Sequence, residues 1–97
     1  MPDWPFDQPP NTASITLRRI AIPEPGEAPR PILYVSHDRD GWQFLDGGPV
    51  TMDDAAVVGM GAMLRLDPTL AQVADLPRGW IATRPAQDAE WTRAKRT

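Results

Sequence analysis

Hydrophobic and polar residues alternate at the start of residues 13–22, where Ile15 and Leu17 are each followed by a polar residue. A period of two is typical of a strand with one solvated face. The alternation breaks at residues 19–20, which predicts a β-bulge or the end of regular pairing. The pattern therefore predicts a first strand, and the proline-rich residues 23–31 predict a loop after it.

A β-hairpin is the clearest element in the middle of the chain. Residues 32–37 predict a second strand, and residues 42–45 predict the strand that returns beside it. Between them, residues 38–41 end in Asp-Gly, which is a strong hairpin signal. A four-residue turn places His37 opposite Trp42 on one side of the sheet.

The second half of the chain changes to helical spacing and then returns to a strand. Residues 53–59 are ambiguous because their two aspartates are able to cap a helix, but we favour a strand at 56–59. Apolar positions in residues 60–66 have helical spacing, and an Asp-Pro pair then predicts a second helix over 68–75. A Pro-Arg-Gly segment ends that helix, and residues 80–84 predict the last strand.

Strands followed by helices and a final strand are typical of the α+β class. We expect a small, mostly antiparallel sheet of about four or five strands, with two short helices packed on one face. The 97 residues suit a single domain. Its predicted parts are a proline-rich arm at 1–12, the domain at 13–84 and a polar tail at 85–97. The arm carries Trp4 and Phe6, and we expect one or both rings to dock on the domain.

Composition and charge argue against several classes of function. The chain has no cysteine, which removes disulfides and thiol chemistry. Its net charge of -3 is unlike that of a general nucleic-acid binder, and its basic cluster is confined to residues 93–96. Residues 1–11 lack the basic start and apolar run of an export signal. The longest nearly apolar stretch, residues 55–64, is shorter than a membrane span, which needs about 20 residues. We therefore expect a cytoplasmic protein with no nucleic-acid or membrane partner.

The richest polar patch surrounds the hairpin, at His37, Asp38, Asp40 and Asp46. Carboxylates and an imidazole are able to bind a divalent metal, and a histidine near neutral pKa is able to act as a general base. However, Asp and Gly are also what a tight turn requires in any protein. Ser36 precedes His37 in one strand, so their side chains point to opposite faces and do not form a catalytic pair. The sequence therefore predicts no catalytic residue, no cofactor and no metal ligand.

Four tryptophans are many for a chain of this size. Indole rings combine a large apolar area with one hydrogen-bond donor, so they complete small cores and also occur at binding surfaces. We expect Trp42 and Trp80 to lie in or beside the core. Trp4 and Trp91 lie on the terminal segments, where either the pinning of those segments or the binding of a partner would explain them.

Four segments resemble a group of short bacterial proteins of unknown function. They are the arm at residues 4–11, the hairpin region at 37–47, the Asp-Pro segment at 66–70 and the Pro-Arg-Gly-Trp segment at 75–80. Over about residues 36–84, the same pattern resembles a wider family that is classed with predicted immunity proteins of bacterial toxin systems. The resemblance implies a shared fold and, for the wider family, a protein-binding role, but no catalytic residue.

The leading hypothesis is a non-enzymatic protein-interaction domain, for which the resemblance implies an immunity-type role. The acidic balance favours a basic protein partner, and pairing of an exposed strand edge with its own copy would give a homo-oligomer. The alternative is a small metal-dependent enzyme or hydrolase that uses His37 with Asp38 or Asp40. The predicted interaction surface comprises His37, Asp38, Asp40, Trp42, Asp46, Trp4 and Trp91.

Overall fold

The computed structural model describes residues 4–28 and 30–96. Within these residues the strands of the single sheet are β1 (Ala13–Leu17), β2 (Tyr34–Asp38), β3 (Gly41–Leu45), β4 (Ala55–Gly59), β5 (Trp80–Thr83) and β6 (Thr92–Lys95). The helical segments are α1 (Arg18–Ala21), α2 (Met60–Leu66), a 3₁₀ helix at Pro68–Val73 and a 3₁₀ turn at Met52–Asp54. No helix of the described residues is long and apolar enough to cross a membrane.

The sheet is mixed rather than wholly antiparallel. Its strand order is β4-β1-β3-β2-β5-β6. Strands β1 and β3 run parallel, and every other neighbouring pair is antiparallel. The α+β class is therefore confirmed, whereas the predicted count of four or five strands and two helices is too low. A parallel pair needs a long connection, and here α1, the proline-rich loop and β2 lie between its two strands.

The sixth strand comes from the segment that the sequence pattern assigns to a polar tail at 85–97. Residues Thr92–Lys95 pair with β5 in antiparallel register, with Lys95 opposite Trp80. All four residues of β6 are exposed, so the strand has no apolar face and no alternation that a sequence pattern would reveal. The sheet therefore extends beyond residue 84, where the sequence analysis ends the domain.

Most of the core lies on one face of the sheet, and buried residues of α2, the 3₁₀ helix and the N-terminal arm belong to the same cluster. Side chains alternate along the central strands, so Val35, Trp42 and Phe44 are buried on this face. Phe6 of the arm is 5% exposed and packs edge-on against Trp42, with ring centroids 5.0 Å apart. The prediction that an aromatic ring docks the arm on the domain is confirmed.

Several local elements lie where the sequence predicts them but differ in the type of secondary structure. The broken alternation at residues 19–20 is a single helical turn, α1, rather than a bulge. The helix predicted over 68–75 is a 3₁₀ helix, and its N-cap Asp67 accepts the Thr69 amide at 3.0 Å. The strand favoured at 56–59 is confirmed and begins one residue earlier. Propensity alone does not distinguish these forms, because packing against the sheet decides them.

Candidate interaction surfaces

An aromatic cluster joins the arm to the hairpin. The strand register places His37 opposite Trp42, as predicted from the turn length. Their rings stack with centroids 4.0 Å apart and an interplanar angle of 12°. Trp4 packs on Phe6, with ring centroids 5.4 Å apart. The Trp42 indole is therefore buried within the cluster rather than presented to a partner.

Gln8 connects both indoles of this cluster to the arm. The Trp4 Nε1–H donates to the backbone carbonyl of Gln8, and the Trp42 Nε1–H donates to the Gln8 Oε1 at 3.0 Å. A buried donor without an acceptor costs about 1–3 kcal/mol, so these bonds favour the docked arm. The contacts of Trp4 and Trp42 are thus explained by the pinning of the arm.

His37 is buried beside the arm, and its imidazole is held by the backbone. Its Nδ1 lies 2.7 Å from the Leu76 carbonyl oxygen. Because a carbonyl only accepts, Nδ1 is the ring nitrogen that donates this hydrogen bond. A depression of about 330 Å³ adjoins the ring and is lined in part by Asp7 and Arg78. A concave site at His37, which the enzyme hypothesis requires, is therefore present.

The carboxylates that were predicted to act with His37 lie elsewhere. Asp38 follows His37 in β2, so its side chain points to the opposite face. There the Asp38 Oδ1 accepts the Asp40 amide at 2.8 Å, and its Oδ2 lies 3.5 Å from a nitrogen of Arg96. Within residues 4–28 and 30–96, no three His, Cys, Asp or Glu side chains are grouped to hold a metal ion. The Asp38 carboxylate therefore stabilises the turn and is not joined to the imidazole.

Asp46 lies at the other end of β3 from the turn. Its carboxylate accepts two hydrogen bonds from the Arg19 guanidinium and one from the Gly48 amide. The hydrogen bond from Arg19 holds the pKa of Asp46 below its usual value, although partial burial acts in the opposite direction. Asp46 therefore ties the loop after β3 to α1 and does not share a surface with Asp40.

We expect Asp46→Asn to reduce the acid sensitivity of the fold. Since the pKa of Asp46 is lower in the folded chain than its ordinary value of 3.8, its charge stabilises the fold above pH 3.8. That contribution is lost as the pH falls through the lower folded value. The variant lacks it throughout, so its free energy of unfolding should change less between about pH 5 and pH 2 in urea denaturation.

The control for this prediction is Asp88→Asn, which removes an exposed carboxylate. Asparagine at position 46 keeps an oxygen for the Gly48 amide, so the variant removes the charge and the acceptor of the Arg19 Nε–H while the loop hydrogen bond stays. If Asp46→Asn retained the full pH dependence of the original chain, the proposed pairing with Arg19 would be wrong.

A buried ion pair that the sequence analysis misses lies behind Trp91. The Arg84 NH2 donates to the Asp67 Oδ2 at 2.7 Å, and both side chains are almost wholly buried. The guanidinium also donates to the Ile32 carbonyl and the Thr69 hydroxyl. The Trp91 ring covers it, with the guanidinium carbon 4.0 Å from the ring centroid. Trp91 therefore shields a structural ion pair through a cation–π contact.

The residues predicted to form one interaction surface fall into separate places. These are the arm cluster for Trp4, His37 and Trp42, the hairpin turn for Asp38 and Asp40, the contact with α1 for Asp46 and the cover of Arg84 for Trp91. Most of these side chains are engaged within the chain. Other parts of the sheet are therefore freer to bind a partner.

The face of the sheet opposite the core carries exposed apolar side chains. The register places one residue of each strand side by side in what we call the outer row: Val57, Ile15, Gln43, Ser36, Ile81 and Ala94. Val57 is 68% exposed and Ile15 is 38% exposed, whereas Val35 and Phe44 on the core face are wholly buried. The outer row is therefore most apolar at its β4 end, where Val57 is exposed.

The two edges of the sheet differ in how they are protected. Strand β6 carries Arg93 and Lys95, and charges on an edge strand discourage pairing with another chain. Strand β4 reads Ala-Ala-Val-Val-Gly, without charge or proline, and pairs with β1 in unbroken register over all five residues. Beside it, Ile22 and Met52 are also exposed. We call β4 together with Ile22 and Met52 the β4 edge.

Comparisons of the chain with protein-family models, with curated proteins and with solved structures found no match. The family and the protein-binding role that the resemblance implies therefore stay predictions.

Proposed function

We propose that this protein is a non-enzymatic domain that binds another protein chain through the β4 edge. The observation that carries the proposal is the contrast between the outermost strands, since β6 is charged and β4 is uncharged and apolar. An unprotected edge strand presents unpaired N–H and C=O groups and is a template for a strand of another chain. The exposed side chains of Ile22, Met52 and Val57 add apolar surface that a partner would remove from water.

A groove along the same edge supports the proposal. It has a volume of about 520 Å³ and is lined by Arg18, Ile22, Glu24 and residues 55–57. Pairing with the β4 backbone would supply affinity, and the groove would select the side chains of the incoming strand. The small side chains at the start of β4 allow another backbone to approach closely.

The acidic hairpin has less support as a binding surface than the β4 edge. Asp38 and Asp46 contact Arg96 and Arg19 within the chain. Internal pairing of these charges reduces the field that would steer a basic partner to the hairpin. A basic protein, which the net charge of -3 favours, is nevertheless an alternative occupant of the β4 edge.

An enzyme that uses His37 with Asp38 or Asp40 is the alternative function, and the depression beside His37 favours it. A general base must lie within hydrogen-bond reach of the proton that it removes, and this hypothesis also requires Asp38 or Asp40 beside the imidazole. Here a backbone carbonyl holds Nδ1 of His37, and the carboxylates lie at the turn. Protein binding therefore has the stronger support.

A photo-crosslinking amino acid at position 57 tests the proposal. We expect p-benzoylphenylalanine in place of Val57 to cross-link the chain to a second polypeptide in the host that produces it, because the side chain projects from the β4 edge. The same replacement at Ala94 is the matched control, since Val57 and Ala94 occupy the two ends of the outer row. Absence of a cross-link at position 57, or equal cross-linking at both positions, contradicts the proposal.

A further inference from the structure

We propose that a depression on the face of the sheet opposite the core binds a small monocarboxylic acid with an apolar body. The depression has a volume of about 230 Å³ and lies over the hairpin strands β2 and β3. It shares no residue with the groove at the β4 edge. The chain therefore carries a ligand site that is independent of the proposed protein-binding function.

The depression forms because a small residue occupies the middle of the outer row. Side chains alternate along β2, so Tyr34, Ser36 and Asp38 face away from the core. The register places Ser36 between Gln43 of β3 and Ile81 of β5, and both neighbours carry longer side chains. Ser36 therefore forms the floor of the depression.

The lining combines apolar groups with a single cation. Tyr34 and Leu45 lie opposite each other in the hairpin, and Val50 comes from the loop after β3. Arg96, which follows β6, is the only charged residue among the described residues that line the depression. An anion with an apolar body matches this combination of groups.

The Ser36 hydroxyl lacks the partner that a buried polar group normally has. Its Oγ is closed off from solvent and has no hydrogen-bond partner among the residues that the structure describes. Ser14, a comparably buried serine of β1, instead donates to the Val58 carbonyl at 2.9 Å. Most buried polar side-chain atoms in proteins are hydrogen-bonded, so an exception calls for a physical reason. A carboxylate oxygen on the floor of the depression would supply the acceptor for Ser36.

Contact with this hydroxyl requires a lining side chain to move. Arg96 and Val50 are free enough to do so, because they are 53% and 52% exposed. The Arg96 NH1 lies 3.5 Å from the Asp38 Oδ2, whereas a charge-assisted hydrogen bond measures about 2.7–2.9 Å. Asp38 is two residues from Ser36 on the same face of β2, or about 7 Å along the strand. The guanidinium is therefore within reach of a ligand that contacts Ser36.

These groups select both the charge and the size of the ligand. A guanidinium binds a carboxylate through two parallel N–H···O bonds, and the Ser36 O–H adds a third donor. One cation balances one negative charge, whereas a phosphate would leave further charge beside Leu45 and Val50. Sites for drug-sized ligands measure roughly 300–1,000 Å³, so this smaller depression limits the apolar body to about one aromatic ring.

A titration of the full chain with benzoate, followed by ¹H–¹⁵N correlation NMR, tests the proposal. We expect saturable shifts of the amides of Ser36, Gln43 and Gly47, with a dissociation constant on the order of 1 mM for so small a ligand. Benzamide has a similar shape without the charge, and inorganic phosphate has charge without the apolar body. Each should bind at least about tenfold more weakly than benzoate.

Three outcomes of this titration overturn the proposal. They are the absence of saturable shifts at these amides up to about 20 mM benzoate, binding of benzamide as tight as that of benzoate, and equally tight binding of phosphate. The first would show that the depression binds no such acid. The other two would show that it does not recognise a carboxylate on an apolar body.

Ser36→Ala should weaken benzoate binding by about tenfold, because the hydroxyl donor is lost. It should leave the fold and its thermal midpoint in place, since that hydroxyl has no partner in the described residues. Ser14→Ala is the matched control, and it should lower the thermal midpoint but leave benzoate affinity unchanged, because its hydroxyl bonds within the sheet. A Ser36→Ala chain that binds benzoate as tightly as the original chain contradicts the proposed contact.

Two charge variants should change benzoate affinity in opposite directions. Arg96→Gln removes the cation and should weaken binding by about tenfold. Asp38→Asn releases Arg96 and keeps the oxygen that accepts the turn amide, so it should strengthen binding by about two- to fivefold. Arg93→Gln is the matched control and should leave affinity unchanged, because Arg93 contacts Asp75 instead. Equal affinities of the two arginine variants, or weaker binding by Asp38→Asn, contradict the proposal.

Discussion

Asp67→Asn is expected to lower the free energy of unfolding by about 3–5 kcal/mol, because it leaves the Arg84 guanidinium buried without its counter-charge. The side chains of Asp67 and Arg84 are 5% and 1% exposed. Asparagine keeps an oxygen for the Thr69 amide, so the N-cap of the 3₁₀ helix is retained. Its amide nitrogen replaces the Oδ2 acceptor, and a donor then faces the donating Arg84 NH2.

Urea denaturation followed by far-UV circular dichroism measures this change. Asp75→Asn is the matched control, because Asp75 also lies 2.7 Å from an arginine nitrogen, that of Arg93, but its side chain is 79% exposed. Removal of an exposed pair should cost only about 0–1 kcal/mol. Similar losses in the two variants would show that the Asp67–Arg84 pair is not protected from solvent.

Phe6→Ala is expected to lower the free energy of unfolding by about 3–5 kcal/mol. The ring is buried between the arm and the sheet and makes edge-on contacts with Trp42 and Phe44, with centroids 5.0 and 6.4 Å away. Its loss would leave a cavity over β3 and detach the arm that holds Gln8 near Trp42. The hydrogen bond from the Trp42 indole N–H to Gln8 would then be lost together with the packing.

Thermal and urea denaturation of this variant should both show the loss, and near-ultraviolet circular dichroism should report the altered setting of Trp42. Val50→Ala is the control, because Val50 is a half-exposed apolar residue of the loop after β3. Its substitution should change stability by no more than about 0.5 kcal/mol. If Phe6→Ala were as mild as Val50→Ala, the arm would not be part of the core.

Local sequence signals predicted the hairpin and the cap of the 3₁₀ helix well. The Asp-Gly turn sets the register that pairs His37 with Trp42, because a short loop leaves few ways for two strands to meet. Asp67 before a proline marked the start of a helical segment for an equally local reason, since its carboxylate bonds an amide two residues away. These features depend on neighbours in the chain.

The buried ion pair shows what a local reading leaves out. Arg84 is the final residue of the last predicted strand, and the sequence suggests a solvated side chain there, because long charged side chains are rarely buried. It is buried only because the Ile32 carbonyl, the Asp67 carboxylate and the Trp91 ring come together around it from distant segments. No spacing pattern connects residues 32, 67, 84 and 91.

The predicted acidic surface failed to form a single patch for a related reason. The sequence placed Asp38, Asp40 and Asp46 close together, but a strand of five residues separates the turn from Asp46. The charges of Asp38 and Asp46 are also paired with Arg96 and Arg19, which come from the end of the last strand and from α1. Proximity in sequence thus overstated both the continuity and the free charge of this surface.

By itself, the sequence determined the α+β class, the hairpin and its register, the strand near residues 56–59 and the docking of an aromatic arm. Turn chemistry and side-chain periodicity act over a few neighbouring residues. The cost of exposing a large apolar ring is the same whichever segment covers the ring, so the docking could be predicted without the fold. Only the tertiary structure decided that β4 lies at an edge, that β6 completes the opposite edge and that Arg84 is buried. The order of strands in a sheet depends on contacts between distant segments, and the proposed binding surface exists only because that order leaves an uncharged strand outermost.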